Sequence, residues 1–246
     1  MTAAADPTAS PARKVAARRI AAALAGGLFL LIGTGAKAQV GVLASIYTDD
    51  RYRGVSLSDG RPVGILDLSY DARNGAYAAL SGRIVATRSE GLKPLALSVN
   101  GGYARRLNSR LTGDVGIVHS RYSNYSGLSG RRSYTEVYAG LTGKLLGARL
   151  SISPDYLGTA HWTAYAEVDG HLDLSRRTLI EARVGVLTPI GAYSGNRPQL
   201  DGRVGIAERL GRITLHGALT TRSKAYFYRG GSRRGTALIL GLSTAF

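Results

Sequence analysis

Thr236-Ala237-Leu238-Ile239-Leu240-Gly241-Leu242-Ser243-Thr244-Ala245-Phe246 ends the sequence, and its period is two. Leu238, Leu240, Leu242, Thr244 and Phe246 fall on one face, with Ile239, Gly241, Ser243 and Ala245 on the other, so the segment reads as a β-strand with one apolar face. A strand in a soluble sandwich can alternate in this way too. A closed membrane barrel, however, must pair its last strand with its first, and it sets aromatic rings at the interface, which suits Phe246 as the barrel-closing terminus. The segment alone leaves both architectures open, and the rest of the sequence decides.

The same alternation recurs upstream. In Trp162 to Leu174, the residues Trp162, Ala164, Ala166, Val168, Gly170, Leu172 and Leu174 oppose Thr163, Tyr165, Glu167, Asp169, His171 and Asp173. In the next segment Ile180, Ala182, Val184 and Val186 oppose Arg177, Glu181 and Arg183, and before both, Val137, Ala139 and Leu141 oppose Tyr134, Glu136, Tyr138 and Lys144. A half-exposed soluble sheet gives this pattern as well, so strand length is the discriminator. Several segments run to about eleven residues, the span of a tilted strand across hydrocarbon, where soluble strands stop near five or six.

About twelve strands are expected, beginning near Gln39, Pro62, Gly75, Lys93, Ser109, Arg132, Gly147, Trp162, Arg177, Gln199, Gly211 and Arg234. Their connections alternate in length. Long ones fall at Asp49 to Arg61, Arg88 to Leu92, Arg121 to Arg131, Asp155 to His161, Pro189 to Pro198 and Arg222 to Arg233, with short turns between them. That is the loop asymmetry of an outer-membrane barrel, and it places both termini on the periplasmic side. The fold class expected is all-β, a single antiparallel transmembrane barrel over 39–246.

Ahead of it, Arg13, Lys14, Arg18 and Arg19 precede an uncharged stretch from Ile20 to Thr34, and Ala36-Lys37-Ala38 supplies small residues before a cut. Residues 1–38 therefore read as a signal peptide, cleaved after Ala38. Its apolar run of about fifteen residues is short of the roughly twenty needed to span as a helix. The chain has no cysteine, which excludes disulfide frameworks and thiolate chemistry, and thirty-three glycines, which suit strands and tight turns. Fourteen tyrosines against three phenylalanines fit a barrel whose rings meet a water boundary.

One block carries a family resemblance. Tyr52-Arg53-Gly54-Val55-Ser56, then Ser58-Asp59-Gly60-Arg61-Pro62 and Asn74-Gly75-Ala76-Tyr77, within Ala44 to Val85, resembles the TorF family of putative outer-membrane porins. Tyr52, Arg53, Gly54, Ser56, Ser58, Asp59, Gly60 and Pro62 are the motif positions. The resemblance implies an outer-membrane barrel that passes small solutes, and it brings no catalytic residues and no agreed substrate.

On a barrel, the faces opposite the apolar stripes point into the lumen. The expected lining is Asp67, Arg83, Asp114, Glu136, Lys144, Arg149, Glu167, Asp169, Asp173, Arg177, Glu181, Arg183, Asp201 and Arg203. Opposed charges of this kind set the ion preference of a wet pore, or else pair with one another and plug it. The formal charge is +16, and much of the excess falls in connections, at Arg105, Arg106, Arg121, Arg131, Arg132, Arg222, Lys224, Arg229, Arg233 and Arg234. Loop arginines can attract anionic solutes or bridge glycolipid phosphates. Nucleic acid is not an expected partner, because the cations are dispersed through loops of an exported chain. The partners expected are outer-membrane lipid, the barrel-assembly machinery and small solutes.

For catalysis, His119 beside Ser120 is the pair to test, but no G-x-S-x-G motif accompanies it. His171 between Asp169 and Asp173 suits a lumen hydrogen-bond network better than a metal site. No cofactor is indicated. The functions to weigh are a porin-like channel for small polar or anionic solutes, a plugged structural or adhesive barrel, and a barrel hydrolase.

Overall fold

The computed structural model describes residues 39–128, 133–158, 161–191, 198–223 and 235–246. The expected leader, residues 1–38, and the loop cations Arg131, Arg132, Lys224, Arg229, Arg233 and Arg234 lie outside them.

The strands are β1 (Gln39–Tyr47), β2 (Arg51–Tyr52), β3 (Val55–Ser56), β4 (Val63–Asp71), β5 (Ala76–Thr87), β6 (Gly91–Arg106), β7 (Thr112–Tyr122), β8 (Ser133–Thr142), β9 (Leu146–Ser153), β10 (Thr163–Asp173), β11 (Thr178–Pro189), β12 (Gln199–Leu210), β13 (Ile213–Arg222) and β14 (Ala237–Ala245). Twelve of them, β1 and β4 to β14, form one closed antiparallel barrel in chain order, and β14 returns to pair with β1. Every expected start lies within three residues of the observed one, the widest gaps being Ser109 against Thr112 and Arg234 against Ala237. The closing pairing runs from Leu43 opposite Ala245 to Tyr47 opposite Gly241, and the Phe246 N–H extends it by donating to Val42 O (3.0 Å).

Alternation sorts the two faces as the sequence predicts. Leu66, Val115, Leu150, Val168, Val184 and Leu240 project outward and are exposed, with Val184 at 62%, and Phe246 ends this outer face. A surface so apolar is stable against hydrocarbon and not against water, so the molecule is an outer-membrane-type barrel. Among the described residues, no helix is long and apolar enough to cross a membrane.

The tyrosines lie less at the water boundary than their number suggests, although Tyr134, Tyr138 and Tyr165 keep the inward side that the alternation gives them. Tyr47, Tyr77, Tyr122, Tyr134, Tyr138 and Tyr165 are buried inside the barrel, while Tyr70 and Tyr103 are the large exposed ones among the described residues. Glycines on neighbouring strands seat the inner rings. Tyr47 stands opposite Gly241, Tyr77 opposite Gly102 and Tyr138 opposite Gly116, and a Cβ at any of these glycines would overlap the ring. In Val99 to Tyr103, then, Gly102 serves ring packing. The irregularity in β6 lies earlier, where Arg83 pairs with Ala96 and Ile84 with Pro94.

Candidate functional site

The connection from Asp49 to Arg61, expected as one of the long loops, folds inward across the long-loop mouth of the barrel. Its local sequence makes this possible. Arg53 (φ 50) and Gly54 (φ 72) take positive φ between the paired Tyr52 and Val55, as a primed hairpin turn requires, and Asp59 (φ 58) and Gly60 (φ 71) do the same in the next turn, which the Arg61 N–H closes on Ser58 O (3.2 Å). Asp49 then fastens the segment to itself, accepting from Arg51 Nε (2.7 Å), Ser56 Oγ (2.5 Å) and Ser58 Oγ (2.8 Å). Val55 and Leu57 pack into an inner apolar cluster with Tyr122, Tyr134, Tyr156, Tyr165 and Leu187.

Arg53 is the tip of the insertion. Its guanidinium donates twice to Glu136, Nη1 to Oε1 at 2.8 Å and Nη2 to Oε2 at 2.9 Å, and lies 3.9 Å from the Tyr165 ring centroid, 4.7 Å from Tyr52 and 5.0 Å from Tyr156. Gln199 Nε2 donates to Arg53 O (3.1 Å). Gly54 is needed because a Cβ there would meet Arg222 Cβ, Thr221 O and Asp201 Cβ. Burial works against the Arg53 charge, but the Glu136 carboxylate together with Tyr52, Tyr156 and Tyr134 outweighs it and raises the Arg53 pKa well above its ordinary value. Burial likewise lifts the Asp50 carboxyl above the carboxylate range, although Arg83 opposes the shift.

Below the hairpin, the inner wall carries the charges the sequence assigned to it. Asp67, Arg83, Asp114, Glu136, Arg149, Glu167, Asp169, Glu181, Arg183, Asp201 and Arg203 all sit on the inward positions of their strands. Many are paired. Arg83 meets Asp50 (3.3 Å), Arg149 meets Asp114 (3.3 Å) and Arg183 meets Glu167 (3.5 Å). The Tyr165 hydroxyl reaches both Asp201 oxygens (3.2 and 3.1 Å). The Tyr138 hydroxyl donates to Asn100 Oδ1 (2.9 Å) and lies 2.6 Å from that of Tyr77. Arg183 and Arg203 stand directly opposite each other, and Arg203 closes no ion pair with a described carboxylate. A cavity of about 170 Å³ remains between hairpin and wall, touching Arg53, Arg83, Glu136, Arg183 and Arg203.

Three expected lining residues are placed elsewhere. Lys144 and Arg177 lie exposed in the short turns after β8 and β10, because the period of two ends with the strand, and Asp173 is exposed at the rim of β10. The expected loop cations divide as well. Arg105 and Arg106 sit at the short-turn rim, while Arg121 and Arg222 lie near the long-loop ends of β7 and β13.

The His119–Ser120 pairing fails on geometry. Consecutive strand residues face opposite ways, so His119 is exposed on the outer face with Nδ1 2.9 Å from Thr135 Oγ1, while Ser120 Oγ meets Ser98 inside (2.9 Å). His216 Nε2 does lie 2.7 Å from Ser243 Oγ inside the barrel, but neither residue lines the cavity. Asp169, His171 and Asp173 are strung along one strand, and among the described residues no three such groups gather as metal ligands.

Residues 34–233 match a protein family described as "Bacterial protein of unknown function (Gcw_chp)". The chain belongs to that family. The matched stretch of the Gcw_chp family takes in the inserted hairpin and strands β1 to β13. No functionally curated protein matches the sequence. Among solved structures, the fold is similar to the NanC porin, with 12% identity and a TM-score of 0.53 over 84% of this chain and 99% of that one. It is also similar to the KdgM porin, with 11% identity and a TM-score of 0.50 over 84% and 99%. At these identities the likeness is one of fold, the outer-membrane barrel of porins.

Proposed function

We propose that this Gcw_chp protein is a porin-like channel through which small polar or anionic solutes diffuse passively across the bacterial outer membrane. The observation that carries the reading is the opposition of faces in one closed barrel, hydrocarbon-compatible side chains outside and ionised ones inside, which is how a wet path through a membrane is built. The inserted hairpin narrows that path and makes it selective for size. Arg183 facing Arg203, where Arg203 closes no ion pair with a described carboxylate, favours an anion between them.

The finer features belong to the same proposal. Residues 1–38 export the chain and are removed, the barrel-assembly machinery inserts the remainder, and Tyr52 to Pro62 is the block through which the chain is akin to the TorF porins. The protein performs no catalysis. A second reading, a plugged structural barrel, is favoured by one observation, the small free volume beneath the latched hairpin.

Single-channel recording separates the two. The protein purified from outer membranes and placed in planar bilayers under a salt gradient gives discrete steps with an anion-favouring reversal potential on the first reading. Inserted, heat-modifiable protein that stays silent would establish the plug.

A further inference from the structure

We propose that the outer wall carries a binding site for one anionic glycerophospholipid, with the headgroup at Arg105 and the acyl chains in a concavity that crosses the barrel from its short-turn rim. The concavity has a volume of about 980 Å³ and lies on the outward face of β6 to β12. Its floor follows from the register. Tyr103, Val115, Ala139, Leu150, Ala166 and Val186 are successive cross-strand neighbours from β6 to β11, so two alanines alternate with large side chains and leave dips. In the adjoining row, Arg105 pairs with Gly113, and Ala148 makes a further dip beside Leu141. Because strands in a closed barrel are staggered, such a row climbs diagonally, from the short-turn end of β6 towards the long-loop end of β12.

The lower lip is cationic and fixed in place. Arg105 is exposed and lines the concavity together with Leu107. The turn that follows, with exposed Arg110, is held rigid by Asn108 Oδ1, which accepts from the Arg110 N–H (2.8 Å) and the Leu111 N–H (3.0 Å). An apolar trough ending in the Arg105 guanidinium complements a molecule with long apolar chains and one phosphate. A lipid of the leaflet that contacts the short turns has that chemistry and arrives in that orientation. The site lies outside the lumen and does not depend on conduction.

Native mass spectrometry of the detergent-solubilised protein, with phosphatidylglycerol or phosphatidylcholine of identical chains added, tests it. The expected result is a one-to-one phosphatidylglycerol adduct that survives activation stripping phosphatidylcholine. Arg105→Gln lowers its retention about tenfold or more, as loss of a charge-assisted hydrogen bond should. Arg105→Lys restores part of it, and Ala139→Phe with Ala166→Phe, which fills the trough from outside, displaces both lipids. Heat-modifiability checks that each variant is folded. Equal retention of the two lipids by the wild type, phosphatidylglycerol preference that persists in Arg105→Gln, or a protein dimer that the double Phe variant dissociates would each overturn the proposal, the last by assigning the trough to a second copy of the chain.

Discussion

Arg53→Ala is the substitution that bears most directly on the hairpin. The wild-type guanidinium closes two bonds to Glu136, whose side chain is 2% exposed, so the variant strands a buried carboxylate. Breaking a buried pair from one side costs about 3–5 kcal/mol. The ring contact with Tyr165 at 3.9 Å is lost as well, worth about 1 kcal/mol. What still holds the hairpin is chiefly Val55 and Leu57, 0% and 2% exposed, at about 1.5–3 kcal/mol each. The loss is thus comparable with the apolar grip that remains, and 3 kcal/mol alone shifts the docked-to-undocked ratio by about a hundredfold. The barrel strands keep their pairing, so the protein stays inserted. Bilayer recordings are expected to show a larger, noisier conductance than wild type, and Arg53→Ala combined with Glu136→Ala should return part of the way, since no charge is then left buried alone. An unchanged conductance in Arg53→Ala, from protein shown to be folded, would refute the idea that this contact sets the constriction.

Four further outcomes follow from the wall and its loops. Arg203→Ala should move the reversal potential towards cations at little cost in stability, because it removes a like charge facing Arg183; an unmoved potential would show that this face does not select ions. Gly241→Val should overpack Tyr47 at the closing pairing by about 1–3 kcal/mol and lower the temperature of heat modification, with Tyr47→Ala in the same chain recovering most of the loss. His119→Ala, on the outer face, should leave melting within about 0.5 kcal/mol of wild type and conductance untouched. For pH, the raised Asp50 pKa means that its contribution to docking is complete below the ordinary carboxylate value and is lost as pH rises through the elevated one. Asp49, Asp67, Arg83 and Arg203 are the charges that act on Asp50, and they remain in place in the variant that tests it. Conductance should therefore fall on acidification, and Asp50→Asn should flatten that response.

Alternation and length were enough to find the barrel, since a membrane-facing strand leaves a long, uniform period of two in its residues. They also found the inner face of β8, β10 and β11, where Glu136, Glu167 and Arg183 sit as expected. The rule failed where strand gave way to turn, as at Lys144 and Arg177, because the period carries no information about where it stops. Tyr134, Tyr138 and Tyr165 fell on the inward side of the alternation, but Tyr47, Tyr77 and Tyr122 were given no face, for a related reason. A ring with a polar tip is equally content at a lipid interface or inside a polar lumen, and what decides is a glycine on the next strand, visible only once the register is known. The hairpin was hardest of all. Asp49 to Arg61 is polar and glycine-containing, as solvated loops are, and its only signs of burial were Arg-Gly and Asp-Gly dipeptides flanking Val55 and Leu57. Glu136, the partner of Arg53, lies eighty-three residues away.

The closing pairing has a mechanical consequence. β1 and β14 share five registered residue pairs, whereas β1 shares nine with β4 and β13 shares eight with β14. Under tension a sheet fails along its least-laced line, so a pull on the carboxyl end should open the cylinder along this edge first and then peel it away hairpin by hairpin. Run backwards, the same sequence makes the meeting of β1 and β14 the last event in building the wall, with Tyr47 settling over Gly241 as the bolt.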